Sequence, residues 1–273
     1  MDQMSQADFE RLAKYMKDRY GLSLEKKKVL VEGRLQSVYK EKKFESIAAY
    51  LNFVFNDKSG TESGTLLTRL TTNYTYFWRE TAHYKFLTET ALPQLVSTIK
   101  NKDLCVWSAA CSSGQEPYTI AMTLDQFFKG NKAGWDTTVL ATDISPFVLQ
   151  QATDAVYSVQ TMENMPPEYV KKYFKKLSND EYQITDALRK EVVFRSFNLM
   201  DTTIPFKKKF HIIFCRNVMI YFDHPTKHAL MRRLYDALVP GGYFIISLSE
   251  TIARGETKFE MIQPSIYRKP EAG

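Results

Sequence analysis

The chain has 273 residues, 37 of them basic and 31 acidic, for a formal net charge of +6. That length suits one large or two modest domains, and 44% hydrophobic with 25% charged residues excludes a disordered or fibrous protein. The most apolar stretch, Tyr243 to Leu248, falls far short of the roughly 18 residues a membrane-spanning helix needs, so no membrane insertion is expected. The start, MDQMSQADFE, has neither the basic region nor the apolar core of a secretory signal. Cys105, Cys111 and Cys215 fall in or beside apolar runs and read as buried, reduced thiols of a cytoplasmic protein. There is no CxxC pair and the four histidines are scattered, which argues against a metal site.

The first third reads as helical. Ser5 precedes a helix with Phe9, Leu12, Ala13 and Met16 on one face, and Gly21 is placed to end it. A second helix is expected to start near Ser23. A third follows Ser46, with Ile47, Tyr50, Leu51, Val54 and Phe55 at helical spacing. Asn56 to Gly64 (NDKSGTESG) has the composition of a loop. No strand pattern interrupts the region, so residues 1–80 are read as a small helical domain with its linker, and residues 81–273 as a second domain.

From about Leu104 short apolar runs alternate with helical patterns: LCVWSAAC (104–111), TVLATDIS (138–145), VVFRSFNL (192–199), HIIFCRN (211–217) and YFIISLSE (243–250), with helices at Tyr118 to Phe128 and Thr226 to Leu238. Alternation of this kind predicts an α/β fold, an open and mostly parallel sheet covered on both faces. Ligands bind such sheets outside the carboxyl ends of the strands. The connection from Ser145 to Val192 is longer than one crossover helix requires. Within it YFKKL and YQIT flank SNDE, which predicts an inserted β-hairpin at about residues 168–192.

The strand ends carry the chemistry. SAACSSGQEPYTIAM (108–122) lets a ligand approach the backbone, yet Gly114 is its single glycine. The pyrophosphate cradle of a dinucleotide site is therefore missing, although tight strand-to-helix packing explains the small residues equally well. Asp143 ends the second strand, where a carboxylate can accept from both hydroxyls of a ribose or can cap the next helix. Glu116 can answer the helix dipole or hold a ligand ammonium. A strand-tip carboxylate, a loop carboxylate and no phosphate-binding glycines together suggest a cationic nucleoside, S-adenosylmethionine. In IIFCRNVMIYFD (212–223), polar Arg216 and Asn217 stand where amino-methyltransferases carry an Asn/Asp-Pro-Pro-aromatic motif, which weakens a nucleic-acid reading. Tyr221 is by position a core or rim aromatic more often than a catalytic group.

Taken together, LTTNYTYFWRE (70–80), SAACSSGQEPYTIAM, ATDIS (141–145), FNLMD (197–201), FCRNVMIYFD and LVPGGYFIISLSE (238–250) resemble the chemotaxis receptor methyltransferases, the CheR family. The resemblance implies a class I S-adenosylmethionine-dependent methyltransferase fold (Rossmann-like, strand order 3-2-1-4-5-7-6) behind a small all-helical domain. It implies methyl transfer from S-adenosylmethionine, leaving S-adenosylhomocysteine, to glutamate side chains of chemoreceptor cytoplasmic helices. It implies Asn73, Thr75 and Arg79 as cofactor contacts from the interdomain segment, Glu116 and Asp143 for the amino-acid and ribose parts, and Asn198, Leu199, Arg216 and Asn217 as lining. Arg79 and Tyr221 are implied to position the reacting carboxylate. In some members the inserted hairpin also docks a C-terminal tether peptide of the receptor. Gln115 departs from the family, which commonly has an acid there. An RNA or small-molecule methyltransferase and a non-catalytic cofactor sensor are the alternatives.

The chemistry is self-consistent. A carboxylate acceptor with a reference pKa of about 4.3 is already ionised at neutral pH, so no general base is required. Between Arg11 and Lys43 there are eleven basic residues against four acidic ones. Such a face can steer an acidic helical partner by its long-range field; nucleic acid has no recognisable binding motif here.

Overall fold

The computed structural model describes residues 3–72, 74–129, 132–253 and 255–271. Four helices open the chain. The first, α1 (Gln6–Tyr20), is capped by the Ser5 hydroxyl, which accepts from the Asp8 amide, and it ends on Gly21 in the left-handed conformation. α2 (Lys28–Glu41) starts five residues after the expected Ser23. Leu22 instead bridges to Phe222 of the second domain and the Ser23 amide donates to the Tyr221 carbonyl, so the chain stays extended there. α3 (Ile47–Asn56) is capped by Ser46.

The expected loop ends early, because α4 (Thr61–Leu70) contains Ser63 and Gly64. Both are buried. Ser63 Oγ lies 2.6 Å from the Tyr20 hydroxyl, and a Cβ on Gly64 would touch Pro146. Their small size serves close packing rather than a turn. Leu12, Met16, Leu35, Tyr50, Val54 and Leu66 form the centre of this domain's own core.

After the interdomain segment come α5 (Ala82–Phe86), a π-helical turn (Leu87–Ala91) and α6 (Leu92–Thr98), which lead into the sheet. Its first strands and helices are β1 (Val106–Ala109), α7 (Gln115–Phe127), β2 (Val139–Asp143) and α8 (Pro146–Asp154). The insert follows: β3 (Val156–Ser158), α9 (Pro167–Tyr173), β4 (Phe174–Lys176), β5 (Glu181–Ile184) and α10 (Asp186–Arg189). β6 (Val192–Ser196), β7 (Phe210–Cys215), α11 (His224–Ala237), β8 (Leu238–Ile245), β9 (Glu260–Gln263) and β10 (Ile266–Arg268) complete the chain.

The seven-stranded sheet runs β6-β2-β1-β7-β8-β10-β9. Taken in the chain order of the sheet's own strands this is 3-2-1-4-5-7-6, with β10 antiparallel to both its neighbours. Alternation along the strands feeds two cores. Val106, Ala141, Ile212 and Phe214 pack with α6 and α7 on one face, while Trp107, Ala109, Ile213 and Phe244 meet Leu230 and Leu234 of α11 on the other. The fold is a class I methyltransferase α/β sheet preceded by a helical domain.

The expected hairpin is present as β4 and β5, but it belongs to a three-stranded sheet of order β3-β5-β4. The insert therefore reaches back to Val156, well before residue 168. A three-residue strand is too short to show alternation, and Tyr157 is its one buried residue.

Candidate active site

At the carboxyl ends of β1, β2, β6 and β7 lies a cleft of about 1100 Å³ including its open mouth, walled on the far side by Tyr20, Leu22, Leu67, Thr68 and Thr71 of the helical domain. Thr75, Arg79, Glu116, Asp143, Asn198, Leu199, Arg216, Asn217 and Tyr221 all line it. The remaining expected residue, Asn73, lies outside the described residues.

The loop after β1 turns sharply, with Ala110, Ser112 and Gly114 all at positive φ. Gly114 is a glycine for packing: a Cβ there would stand 2.7 Å from the Tyr157 hydroxyl and 2.9 Å from Ala152 Cβ. It packs against protein, as expected if the small residues of this loop serve tight strand-to-helix packing. Asp143 accepts from the Ser112 amide at 2.9 Å through one oxygen and from the Ser145 amide at 3.0 Å through the other. The α8 cap is Ser145, not Asp143. Burial raises the Asp143 carboxyl above its ordinary value, opposed by amides of Ser145, Ser112 and Ile144.

Glu116 is already engaged. Its carboxylate accepts from the Ser108 hydroxyl at 2.7 Å and from Arg216 Nη1 at 2.8 Å. Arg216 is buried, its side chain 2% exposed, between two carboxylates: Glu116, and Glu80 at 3.1 Å from Nη2. The same Nη2 donates to the Arg79 carbonyl at 2.6 Å, and Nη1 contacts the Tyr84 hydroxyl at 3.2 Å. Arg216 Nε is buried without a partner among the described residues. Arg79 itself donates from Nη1 to the Tyr74 carbonyl at 2.9 Å and lies over the Tyr76 ring.

Two of the expected residues are committed to the domain boundary. The Asn198 side-chain amide donates to the Arg19 carbonyl of α1 at 2.9 Å, and its oxygen accepts from Met200 N. The Tyr221 hydroxyl meets both backbone groups of Thr72, the amide at 3.1 Å and the carbonyl at 3.2 Å. Tyr221 therefore holds the interdomain segment against the cleft. Leu199 is a buried wall whose carbonyl accepts from Arg233.

Sequence reasoning missed Glu80 and Glu250, although both fall inside quoted motifs. Buried Glu250 accepts from the amides of Ser247, Asn217 and Met219 at 2.8 to 3.0 Å. That holds Asn217 at a φ of 58°. Gln115 is buried against the Ser113 hydroxyl and does not line the cleft. Among the described residues no group of His, Cys, Asp or Glu could hold a metal ion, and no helix is long and apolar enough to cross a membrane.

Known families match this arrangement over nearly the whole chain. The SAM-binding domain of CheR methyltransferases matches residues 73–268, and the all-alpha domain of the same methyltransferases matches residues 7–71. The chain belongs to the CheR methyltransferase family. It is 41% identical over 266 residues to a chemotaxis protein methyltransferase of Borreliella burgdorferi, covering 96% of this chain and 94% of that protein. Chemotaxis protein methyltransferase 1 of Pseudomonas aeruginosa is 33% identical, with 96% and 97% covered, and the Escherichia coli chemotaxis protein methyltransferase is 31% identical, with 97% and 91% covered. Along this chain the all-alpha match comes first and the SAM-binding match second.

Proposed function

We propose that the protein is a cytoplasmic protein-glutamate O-methyltransferase acting on the acidic helical cytoplasmic region of chemoreceptors. The convergence of Arg79, Glu116, Asp143, Arg216 and Asn217 on one cleft at the strand ends is the observation that supports this reading most. When bound, S-adenosylmethionine supplies an electrophilic methyl group on a sulfonium. The backbone amides of Ser112, Ser145 and Ile144 fix the Asp143 carboxylate at the strand end, where its remaining acceptor capacity would serve the ribose hydroxyls. Arg216 and Asn217 line the methionine end, with Glu116 fixing the guanidinium. Asn198 and Leu199 would flank the adenosine, and Thr75 lines the cleft from the interdomain segment.

Arg79 orients the acceptor carboxylate. Its guanidinium is tethered at one nitrogen, which favours a hydrogen-bonding guide over a dry ion pair that would quench nucleophilicity. Tyr221 contributes by fixing Thr72 and thereby the segment that carries Arg79. No residue has to take a proton, and among the described residues no histidine lines the cleft. Catalysis then comes from alignment and water exclusion, a route worth on the order of 7–11 kcal/mol in well-oriented reactions. Gln115 carries no part of the cofactor site. A receptor tether peptide, where one is used, would add to the inserted sheet.

Peptide mapping by mass spectrometry of a chemoreceptor cytoplasmic fragment, incubated with protein and S-adenosylmethionine, tests the substrate. Methyl groups on glutamate side chains are expected. Methylation of lysine or of added RNA, with glutamates untouched, would contradict the proposal.

A further inference from the structure

The charged residues that line the cleft, among the described residues, are Arg79, Arg216, Glu116 and Asp143. Two cations and two anions cancel, so the lining alone has no preference for a cationic ligand. Glu80 lies one guanidinium behind it. Its Oε2 is 3.1 Å from Arg216 Nη2 and accepts from the Leu248 amide at 3.2 Å, while Oε1 accepts from the Ser247 hydroxyl at 2.7 Å. Ser247 in turn accepts from the Asn217 side chain at 2.8 Å. The backbone bears strain to arrange this, since Trp78 and Glu80 both have φ near 60°. Glu80 thus closes a network that joins the interdomain segment, the loop after β7 and the loop after β8. Glu250, also behind the lining, is held differently, by hydrogen bonds from backbone amides rather than by a guanidinium.

Resting on the reading of this cleft as the S-adenosylmethionine site, we propose that Glu80 is a positioning residue that, through Arg216, sets the cleft's preference for the cationic cofactor over its neutral thioether product. Cofactor and product differ by one methyl and one unit of charge. A carboxylate held behind the guanidinium stabilises the sulfonium form selectively, while contacts to ribose and adenine serve both ligands equally. Removing one charge close to the site, at an effective dielectric near 20, changes the ratio of the two affinities by about tenfold.

The test is calorimetric titration of the purified protein with S-adenosylmethionine and with S-adenosylhomocysteine. Glu80→Gln is expected to weaken the cofactor about tenfold more than the product. Glu80→Asp, which keeps the charge, and Ser247→Ala, which loosens Glu80 without changing charge, are expected to hold the ratio within about twofold of wild type. Because Glu80→Gln leaves a buried cation under-compensated and can unfold the chain, the double variant Glu80→Gln/Arg216→Gln is the second arm. It removes both charges and should keep the wild-type ratio. Equal losses for both ligands in Glu80→Gln, or a matching fall of the ratio in Ser247→Ala or in the double variant, would overturn the proposal. Wild-type protein that binds neither ligand would instead sink the cofactor-site reading.

Discussion

Arg79 reaches the cleft from an irregular segment, and its position depends on what grips that segment. Tyr221 grips Thr72, Arg216 grips the Arg79 carbonyl, and the Tyr74 carbonyl tethers the guanidinium. If Arg79 guides the acceptor by directed hydrogen bonds, a point charge cannot replace its planar fork. Arg79→Ala should lower kcat by about a hundredfold and Arg79→Lys by an intermediate factor, with cofactor affinity less affected. Steady-state kinetics on a receptor fragment would show it; wild-type turnover in both variants rules the role out.

Among the elements, the strand-to-helix turn after β1 is tightly constrained. Gly114 combines a φ of 96° with a neighbour at 2.7 Å. Gly114→Ala should therefore cost about 2–4 kcal/mol from overpacking and left-handed backbone strain, and lower the melting temperature by at least about 5 °C. A melting curve superimposable on wild type would contradict that packing role.

Element boundaries also show what a sequence can disclose. Caps are local chemistry, so Ser5, Gly21 and Ser46 marked their helix ends correctly. The starts of α2 and α4 depend on distant partners: Leu22 on Phe222, Ser63 on Tyr20, and Gly64 on Pro146. Small polar residues that look like a loop become helix when a neighbour needs close approach. The site divides the same way. Strand-end loops pointed to Asp143, Glu116, Arg216 and Asn217, which line the cleft, while the bond from Ser247 to Glu80 spans 167 residues and left no local trace.

At the scale of the whole molecule, polar ties join the two domains around the cleft. Thr68 and Ser145 hydroxyls lie 2.8 Å apart, Asn198 reaches Arg19, and Lys17 pairs with Asp223 at 2.9 Å. The Thr226 hydroxyl and Lys17 hold the Asp223 carboxyl down at about 2, against an ordinary 3.8. A depressed acid contributes stability that is complete above the ordinary value and is lost as pH falls through the folded one. Asp223→Asn should accordingly melt below wild type at pH 7, with the gap closing between about pH 4 and pH 2. A gap that stays constant across that range would mean the ion pair is idle.

The charge distribution makes the other whole-molecule prediction. Lys26 and Lys27 are exposed, Lys27 Nζ lies 6.0 Å from the Tyr221 ring at the cleft, and Val29 beside them is 83% exposed. A basic and partly apolar face at the cleft suits an acidic amphipathic helix. Reversing Lys26, Lys27 and Lys28 to glutamate should raise KM for the receptor about tenfold or more at low salt and leave cofactor affinity unchanged. An unchanged KM would place the receptor elsewhere.

The claim that joins these scales is transfer of a methyl group to a carboxylate from a cofactor held by Asp143. The direct measurement incubates purified protein with methyl-labelled S-adenosylmethionine and a chemoreceptor cytoplasmic fragment, then counts methanol released in mild base, the signature of a methyl ester. Base-labile label that disappears with Asp143→Ala is the predicted result. Cofactor binding without any base-labile label, or label that survives base, would contradict it.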